Sequence, residues 1–244
     1  MRFLVIPCFN EEQRLVQHEV LKCVEALNCV VVLVDDGSTD ETLEILNNLS
    51  FQFPESIQVL PLPRNVGKGE AVRAGFIHAF ERDATQVLFC DADFAVGPQD
   101  LLRICNTLDE NSECKAVIGS RIAMVGSNIQ RSIFRHYSGR VFATLVSLIL
   151  GQQIYDTQCG AKVFKADNDV KRAFSQPFLS RWAFDVEIIG RLLRLKRSKN
   201  NQNLILEMPL RNWLEVPGSK INLVSQLRTV FELFKIRSSL NKWS

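Results

Sequence analysis

The chain predicts an α/β fold, with a mainly parallel central sheet flanked by helices. Three observations carry that prediction. Short apolar, β-branched runs alternate with helix-period segments over the first 120 residues, the pattern of βαβ units with right-handed crossovers. Three of these runs stop abruptly at polar or acidic residues, as strands do when their carboxyl ends face a ligand. The 244 residues are 46% hydrophobic and 23% charged, which suits one globular domain with or without an appendage.

The first run, Phe3-Leu4-Val5-Ile6, predicts a strand near 2–6 and passes into Pro7-Cys8-Phe9-Asn10-Glu11-Glu12, with a helix expected over 11–27. Val30 to Val34 predicts a second strand over 30–34, ending in Asp35-Asp36-Gly37-Ser38-Thr39-Asp40. Gly37 permits a tight turn there, and Ser38, Thr39 or Asp40 can cap a helix over 40–49. A third strand near 57–60 leads to Arg64-Asn65-Val66-Gly67-Lys68-Gly69-Glu70, which opens a helix over 68–82. Its glycines let backbone approach a ligand, and its cations can meet phosphate at a helix N-terminus. It is not a Walker P-loop, because Lys68 is followed by Gly69 rather than Ser or Thr.

The fourth strand, near 86–90, ends the stretch Val87-Leu88-Phe89-Cys90-Asp91-Ala92-Asp93. Two carboxylates one residue apart repel each other unless a cation or a donor network shares them. A hard divalent ion carrying a substrate phosphate does so. A helix over 98–109 and a strand near 115–119 complete the series. Each segment alone also fits an ordinary loop. Three acidic or polar strand ends along one sheet edge argue for a single site.

Beyond residue 120 the pattern changes. Ser127 to Ser138 is polar and basic, with Arg131 and Arg135, and Arg140 follows. The apolar run Val141 to Leu150 is too short to span a bilayer and fits either a core helix or an interfacial one. Residues 191–199 carry five cations in nine positions. Ile221, Val224, Leu227, Phe231 and Phe234 recur at helical spacing opposite Gln226, Arg228, Thr229, Lys235 and Arg237, an amphipathic basic helix that can dock on the parent domain or on a membrane. The chain thus divides into a domain over 1–220 and a C-terminal helix over 221–244.

Charge separates along the chain. Residues 1–120 carry a net −10 and residues 121–244 a net +12, which suits a metal ion in the first part and an anionic partner in the second. No apolar run approaches the roughly 18 residues of a membrane span. The Met-Arg start followed at once by a strand predicts no signal peptide. Seven cysteines without a C-x-x-C pair fit reduced thiols, and His18, His78 and His136 lack partners at zinc-ligand spacing. The aromatics are not interleaved with the cations as a nucleic-acid stacking platform requires, so nucleic acid is not an expected partner.

Taken together, Ile6-Pro7-Cys8-Phe9-Asn10-Glu11, Val34 to Asp40, Asn65 to Gly69, Asp91-Ala92-Asp93, Gly119-Ser120-Arg121, Asp156 to Lys162, Phe184-Asp185-Val186-Glu187 and Trp213 with Gly218-Ser219-Lys220 resemble an inverting family 2 glycosyltransferase of GT-A fold. More narrowly, they are similar to the polyprenyl-phosphate and dolichyl-phosphate glucosyl- and mannosyltransferases. The resemblance runs in family order over nearly the whole chain, roughly residues 2–237.

That resemblance implies roles. Pro7, Asn10 and Glu11 would line the nucleotide pocket, Asp36 would contact the base, and Lys68 would border the sugar nucleotide. Asp91 and Asp93 would hold Mg²⁺ or Mn²⁺ on the diphosphate. Arg121 and Arg131 would meet the donor or acceptor phosphate, and Gln158, Asp185 and Glu187 would lie around the transferred sugar. Trp213, Ser219 and Lys220 would fall in a segment that closes the site. The implied partners are a nucleotide-sugar donor, UDP-glucose or GDP-mannose, and a polyprenyl or dolichyl phosphate acceptor at the cytoplasmic face of a membrane. Cys159-Gly160-Ala161-Lys162 and the Trp213 segment resemble the glucosyl branch, which favours UDP-glucose.

Many mannosyl relatives place a polar metal ligand after the acidic pair, whereas Phe94-Ala95-Val96 follows here. A lipid phosphate is already anionic and attacks without a base. A hydroxyl acceptor would need one, and Asp185 is then the first candidate. A non-catalytic sugar-nucleotide-binding protein is the remaining alternative.

Overall fold

The computed structural model describes residues 1–129, 133–195, 203–213 and 223–243. The central sheet has seven strands: β1 (Arg2–Cys8), β2 (Cys29–Asp35), β3 (Ile57–Pro61), β4 (Gln86–Cys90), β5 (Ala116–Ser120), β7 (Ala161–Lys165) and β8 (Ile205–Pro209). Their spatial order is β3-β2-β1-β4-β7-β5-β8. All neighbours are parallel except β7, which runs antiparallel to both β4 and β5. The mainly parallel sheet is therefore as expected, with one reversed strand that periodicity did not reveal. Two short strands, β6 (Asn128–Ile129) and β9 (Asn212–Trp213), pair separately.

The strands are buried on both faces, which is why they read as continuous apolar runs. Alternate residues still face opposite ways. Leu4, Ile6, Leu33 and Leu88 pack with helices α1 (Gln17–Leu27), α2 (Thr42–Gln52) and α4 (Pro98–Glu110). Phe3, Val5, Val34 and Phe89 pack with α3 (Lys68–Phe80), α6 (Asn168–Phe174) and α7 (Phe184–Leu195). An aromatic cluster joins α3, β7 and α6: Phe76 stacks on Phe174 at 4.2 Å and meets Phe164 edge-on at 5.4 Å.

The first helix starts at Gln17, not at 11 as expected. Residues before it are held along the sheet edge instead. Asn10 adopts a left-handed conformation (φ 51°), and the Glu11 backbone N–H donates to Thr42 Oγ1 at 2.8 Å. The N-cap of α2 is Glu41, without a side-chain cap bond, rather than Ser38, Thr39 or Asp40; Asp40 instead accepts from the Thr42 N–H and hydroxyl at 3.1 and 2.6 Å, a turn just ahead of the helix.

Two further helices form a second layer on α7. The run 141–150 belongs to α5 (Ile133–Leu150), whose Ala143 and Val146 are buried. The C-terminal helix, α8 (Leu223–Leu240), docks through Leu233, Ile236 and Leu240 against Val146, Ala183 and Val186. Phe231 and Phe234, from the apolar stripe that could dock on the domain or on a membrane, are 71% and 60% exposed. The spacing Leu233, Ile236, Leu240 is a second apolar stripe, and the groove between α5 and α7 selects it. Of the other expected positions, Ile221 and the side chains of Val224 and Leu227 lie outside the described residues, as does 196–199 of the basic run.

All seven cysteines are buried free thiols. Burial pushes Cys23, Cys29, Cys105 and Cys159 up to about 12, which leaves them protonated and unreactive. A thiol reagent at about pH 8 is therefore expected to show no fast phase on native protein. All seven should react after unfolding in denaturant. A fast native phase would reveal a thiolate that this burial does not allow.

Candidate active site

Chain order reverses at the sheet centre, since β1 lies between β2 and β4. The helices leaving β1 and β4 pack on one face, while α3 and α7 cover the other. A crevice opens where the strands end. It is a cleft of about 580 Å³ lined by residues from the ends of β1, β2, β4 and β5 and by the N-terminal turns of α3 and α7. Of the residues singled out in the sequence, Pro7, Glu11, Asp36, Lys68, Asp91, Asp93, Arg121, Gln158 and Asp185 line it.

The floor is an array of three acids and three cations. Lys68 Nζ lies 2.5 Å from Asp91 Oδ1. Lys162, with no exposed surface, lies 2.6 Å from Asp185 Oδ1. Both ammonium groups approach the Phe89 ring, Lys68 at 5.6 Å and Lys162 at 4.8 Å. Burial alone would raise the Asp91 carboxyl, but Lys68, Lys162 and Arg121 hold it below its ordinary value. Asp93 shifts the other way. Burial and the adjacent Asp91 charge raise it, although its Oδ1 accepts from the Ala95 N–H at 3.1 Å. Burial also raises Asp185, against the pull of Lys162 and Lys68.

Gly160 fixes the position of Asp91. The Asp91 N–H donates to the Gly160 carbonyl at 3.1 Å, and a Cβ at 160 would overlap Asp91 Oδ2. Only glycine allows that approach. The turn after Asp91 puts Phe94 in the left-handed region (φ 48°), so its ring packs on the core rather than entering the cleft.

Arg121 is set by a chain of carboxylates. Asp156 grips it bidentately, Nε to Oδ2 at 2.7 Å and NH2 to Oδ1 at 2.8 Å. Glu207, on β8, accepts from the Tyr155 and Asp156 N–H groups at 2.7 and 2.8 Å and so holds that loop. Trp213 lies under the guanidinium at 5.4 Å. Replacing Glu207 by Gln leaves one acceptor for two N–H groups. On the reading, implied by the sequence resemblance, that Arg121 meets a substrate phosphate, the variant is expected to raise KM for that substrate by about tenfold, the loss of one charge-assisted hydrogen bond. Steady-state kinetics checks this, and an unchanged KM would show that the loop does not set Arg121.

Along the opposite wall, Asp36 accepts from the Val66 and Gly67 N–H groups at 2.7 and 2.9 Å. Those bonds hold the turn before α3, where Gly67 has φ 101°. The Asp36 carboxylate thus shapes the loop around the cleft. Arg181 bonds Asn65 and, with Trp182, forms the rim. Asn10 stands behind the wall, its Oδ1 accepting from the Thr39 N–H at 2.9 Å. Glu187 turns away from the cleft and pairs with Arg191 at 2.7 Å. Arg131 and Lys220, together with Ser219, lie outside the described residues.

Sequence reading gave no role to Lys162, Asp156, Glu207, Arg181 or Trp182. Lys162 carried a signal: it is a cation in the interior of the strand Ala161-Lys162-Val163-Phe164-Lys165, flanked by apolar residues on both sides. Glu207 carried none, because a single acid in a short strand is ordinary.

Asp91 and Asp93 fit a hard divalent ion. They are adjacent oxygen donors at the cleft floor, one of them already neutralised by a cation. No group of three or more His, Cys, Asp or Glu side chains could hold a metal among the described residues. An ion here would take its remaining ligands from the substrate and water.

Comparison with known proteins agrees with this architecture. The family model for "Glycosyl transferase family 2" matches residues 3–170. The chain is 32% identical over 247 residues to the dolichyl-phosphate beta-glucosyltransferase ALG5A of Trichomonas vaginalis, covering 96% of this chain and 72% of that protein. It is 32% identical over 235 residues to the dolichyl-phosphate beta-glucosyltransferase of Homo sapiens, covering 89% and 68%. Among solved structures, glucosyl-3-phosphoglycerate synthase of M. tuberculosis superposes with a TM-score of 0.69 at 16% identity, covering 97% of this chain and 80% of that one. Residues 1–349 of S. aureus TarS in complex with UDP superpose with a TM-score of 0.61 at 19% identity, covering 97% and 65%. At such identities the structures speak for the fold alone.

Proposed function

The chain belongs to glycosyl transferase family 2 and has the GT-A fold, and from that premise we propose that it transfers glucose from UDP-glucose to a dolichyl or polyprenyl phosphate. One observation carries the choice of acceptor. Among the described residues, each of the five carboxylates lining the cleft already has a partner: Glu11 with Arg14, Asp36 with two backbone N–H groups, Asp91 with Lys68, Asp93 with the Ala95 N–H, and Asp185 with Lys162. An acceptor that brings its own negative charge needs no base from this set. The names of the relatives support the same reading.

In this mechanism the acceptor phosphate oxygen attacks the sugar C1 from the face opposite the leaving group. The C1–oxygen bond to the diphosphate breaks, its electron pair leaves with the nucleoside diphosphate, and configuration inverts. Lys68 and Arg121 meet the phosphate charge that develops or arrives there. Gln158 and the ion-paired Asp185 orient sugar hydroxyls. Asp91 and Asp93 would hold Mg²⁺ or Mn²⁺, which supplies counter-charge to the departing diphosphate.

The acceptor reading places the protein at the cytoplasmic face of a membrane. No helix among the described residues is long and apolar enough to cross one. Contact at the surface is supported by α5 and α8, which expose Val141, Leu148, Phe231 and Phe234 beside the cations Arg140, Lys235 and Arg237. Each helix contacts a neighbour of a cleft element: Arg140 stacks on Tyr155 at 4.1 Å, one residue before the Asp156 that holds Arg121, and Glu232 bonds Ser180, next to Arg181.

The test is transfer of labelled sugar from UDP-glucose and, in parallel, GDP-mannose to a polyprenyl phosphate in detergent, with Mg²⁺ or Mn²⁺ and then with EDTA. Metal-dependent label in the lipid fraction from UDP-glucose is the expected result. Label from GDP-mannose alone would move the assignment to a mannosyltransferase. Turnover of neither donor would remove the lipid-phosphate reading.

A further inference from the structure

We propose that Lys68 is a resident counter-ion that changes partners on binding. Its ammonium pairs with Asp91; when a divalent ion takes that place, the ammonium passes to the donor diphosphate. The proposal rests on the metal and nucleotide reading given above and goes beyond it, because it makes one side chain the link between the two ligands.

Three features of the floor point to exchange at Lys68 and nowhere else. First, Asp91 is anchored at its backbone. Its N–H is tied to the Gly160 carbonyl, and its carboxylate, though 34% exposed, lies against Gly160, where a Cβ would overlap it. Second, the two floor lysines differ in freedom. Lys162 is fully buried, with its ammonium held by Asp185 and the Cys159 carbonyl. Lys68 has a side chain 25% exposed to the cleft. Its backbone is fixed as the first residue of α3, so the flexible stem alone can move. Third, Arg121 is committed to Asp156 through two short bonds and does not compete for Asp91.

The charges then dictate coupling. Lys68 balances Asp91 and Lys162 balances Asp185, while Arg121 is taken up by Asp156 and Asp93 accepts from the Ala95 N–H. A dication arriving alone would meet an ammonium on the same carboxylate, and like charges at that range repel. A dication arriving with a diphosphate gives Lys68 a new anion within reach of its stem. Divalent ion and nucleoside diphosphate should therefore each strengthen the binding of the other, by the same factor.

Calorimetric titration of the whole chain with Mn²⁺, with UDP or GDP, and with each in the presence of the other tests this. Wild type should bind Mn²⁺ at least about tenfold tighter once nucleotide is present, within the usual range of coupling between sites. Lys68→Met should bind Mn²⁺ alone at least about fivefold tighter than wild type, bind nucleotide more weakly, and lose most of the coupling. Lys68→Arg should keep the coupling in part. If Lys68→Met, folded by circular dichroism, binds Mn²⁺ alone no tighter than wild type, the exchange is wrong while the metal site stands. If neither protein binds Mn²⁺ in any combination while nucleotide still binds, the metal site falls and the exchange with it.

Discussion

Asp91→Asn is expected to lower kcat/KM for sugar transfer by about 10²–10³-fold, the usual cost of removing one preorganised group that stabilises transition-state charge. The substitution keeps the shape that Gly160 requires, since the amide occupies the volume of the carboxylate. It removes the charge that holds Lys68, at 2.5 Å, and that would hold an ion. Stability should change little, because Lys68 reaches the cleft and can be solvated there. Steady-state kinetics alongside thermal unfolding checks both halves. A rate within tenfold of wild type would mean that Asp91 is not at the reacting diphosphate.

Lys162→Met is expected to produce the largest loss of stability. Lys162 and Asp185 are 0% and 5% exposed in their side chains, and the variant leaves Asp185 buried without its cation. Breaking a buried pair from one side costs about 3–5 kcal/mol. In a chain of this size that lowers Tm by roughly 10 °C. The companion variant decides the cause. Lys162→Met with Asp185→Leu removes both charges, and a buried pair replaced by apolar groups is often close to neutral. The double variant should recover most of the lost stability and remain inactive, because Asp185 lines the cleft. If the double variant is as unstable as the single one, Lys162 acts through its packing on Phe89 at 4.8 Å rather than through charge.

Lys162 also marks the limit of the sequence reading. It stood inside a recognised motif without a role, because no spacing rule says which residue an antiparallel strand brings beside a helix start 23 positions later. The acidic strand ends were legible for the opposite reason. Residues such as Asp91 and Asp36 sit where an apolar run stops, and a parallel sheet puts all such stops on one edge. The sequence left open whether the α8 stripe with Phe231 and Phe234 meets the domain or a membrane, because two apolar stripes lie on one helix, and only the groove that receives Leu233, Ile236 and Leu240 chooses between them. Asp36 shows a subtler case. It ends an apolar run and lines the cleft, but its two bonds to the Val66 and Gly67 N–H groups depend on a loop 30 residues away.

By itself, the sequence determined the α/β class, the edge of the sheet that carries the site, and the family, through local patterns: strand period, turn residues and short acidic motifs in order. The tertiary structure decided which side chains are paired. It placed the reversed strand β7 between β4 and β5, and with it Lys162 under Asp185 and Gly160 against Asp91. It also put Glu207 behind the loop that sets Arg121. Those pairings join residues far apart in the chain, and their strength depends on burial and distance, which only the packed sheet and its helices fix.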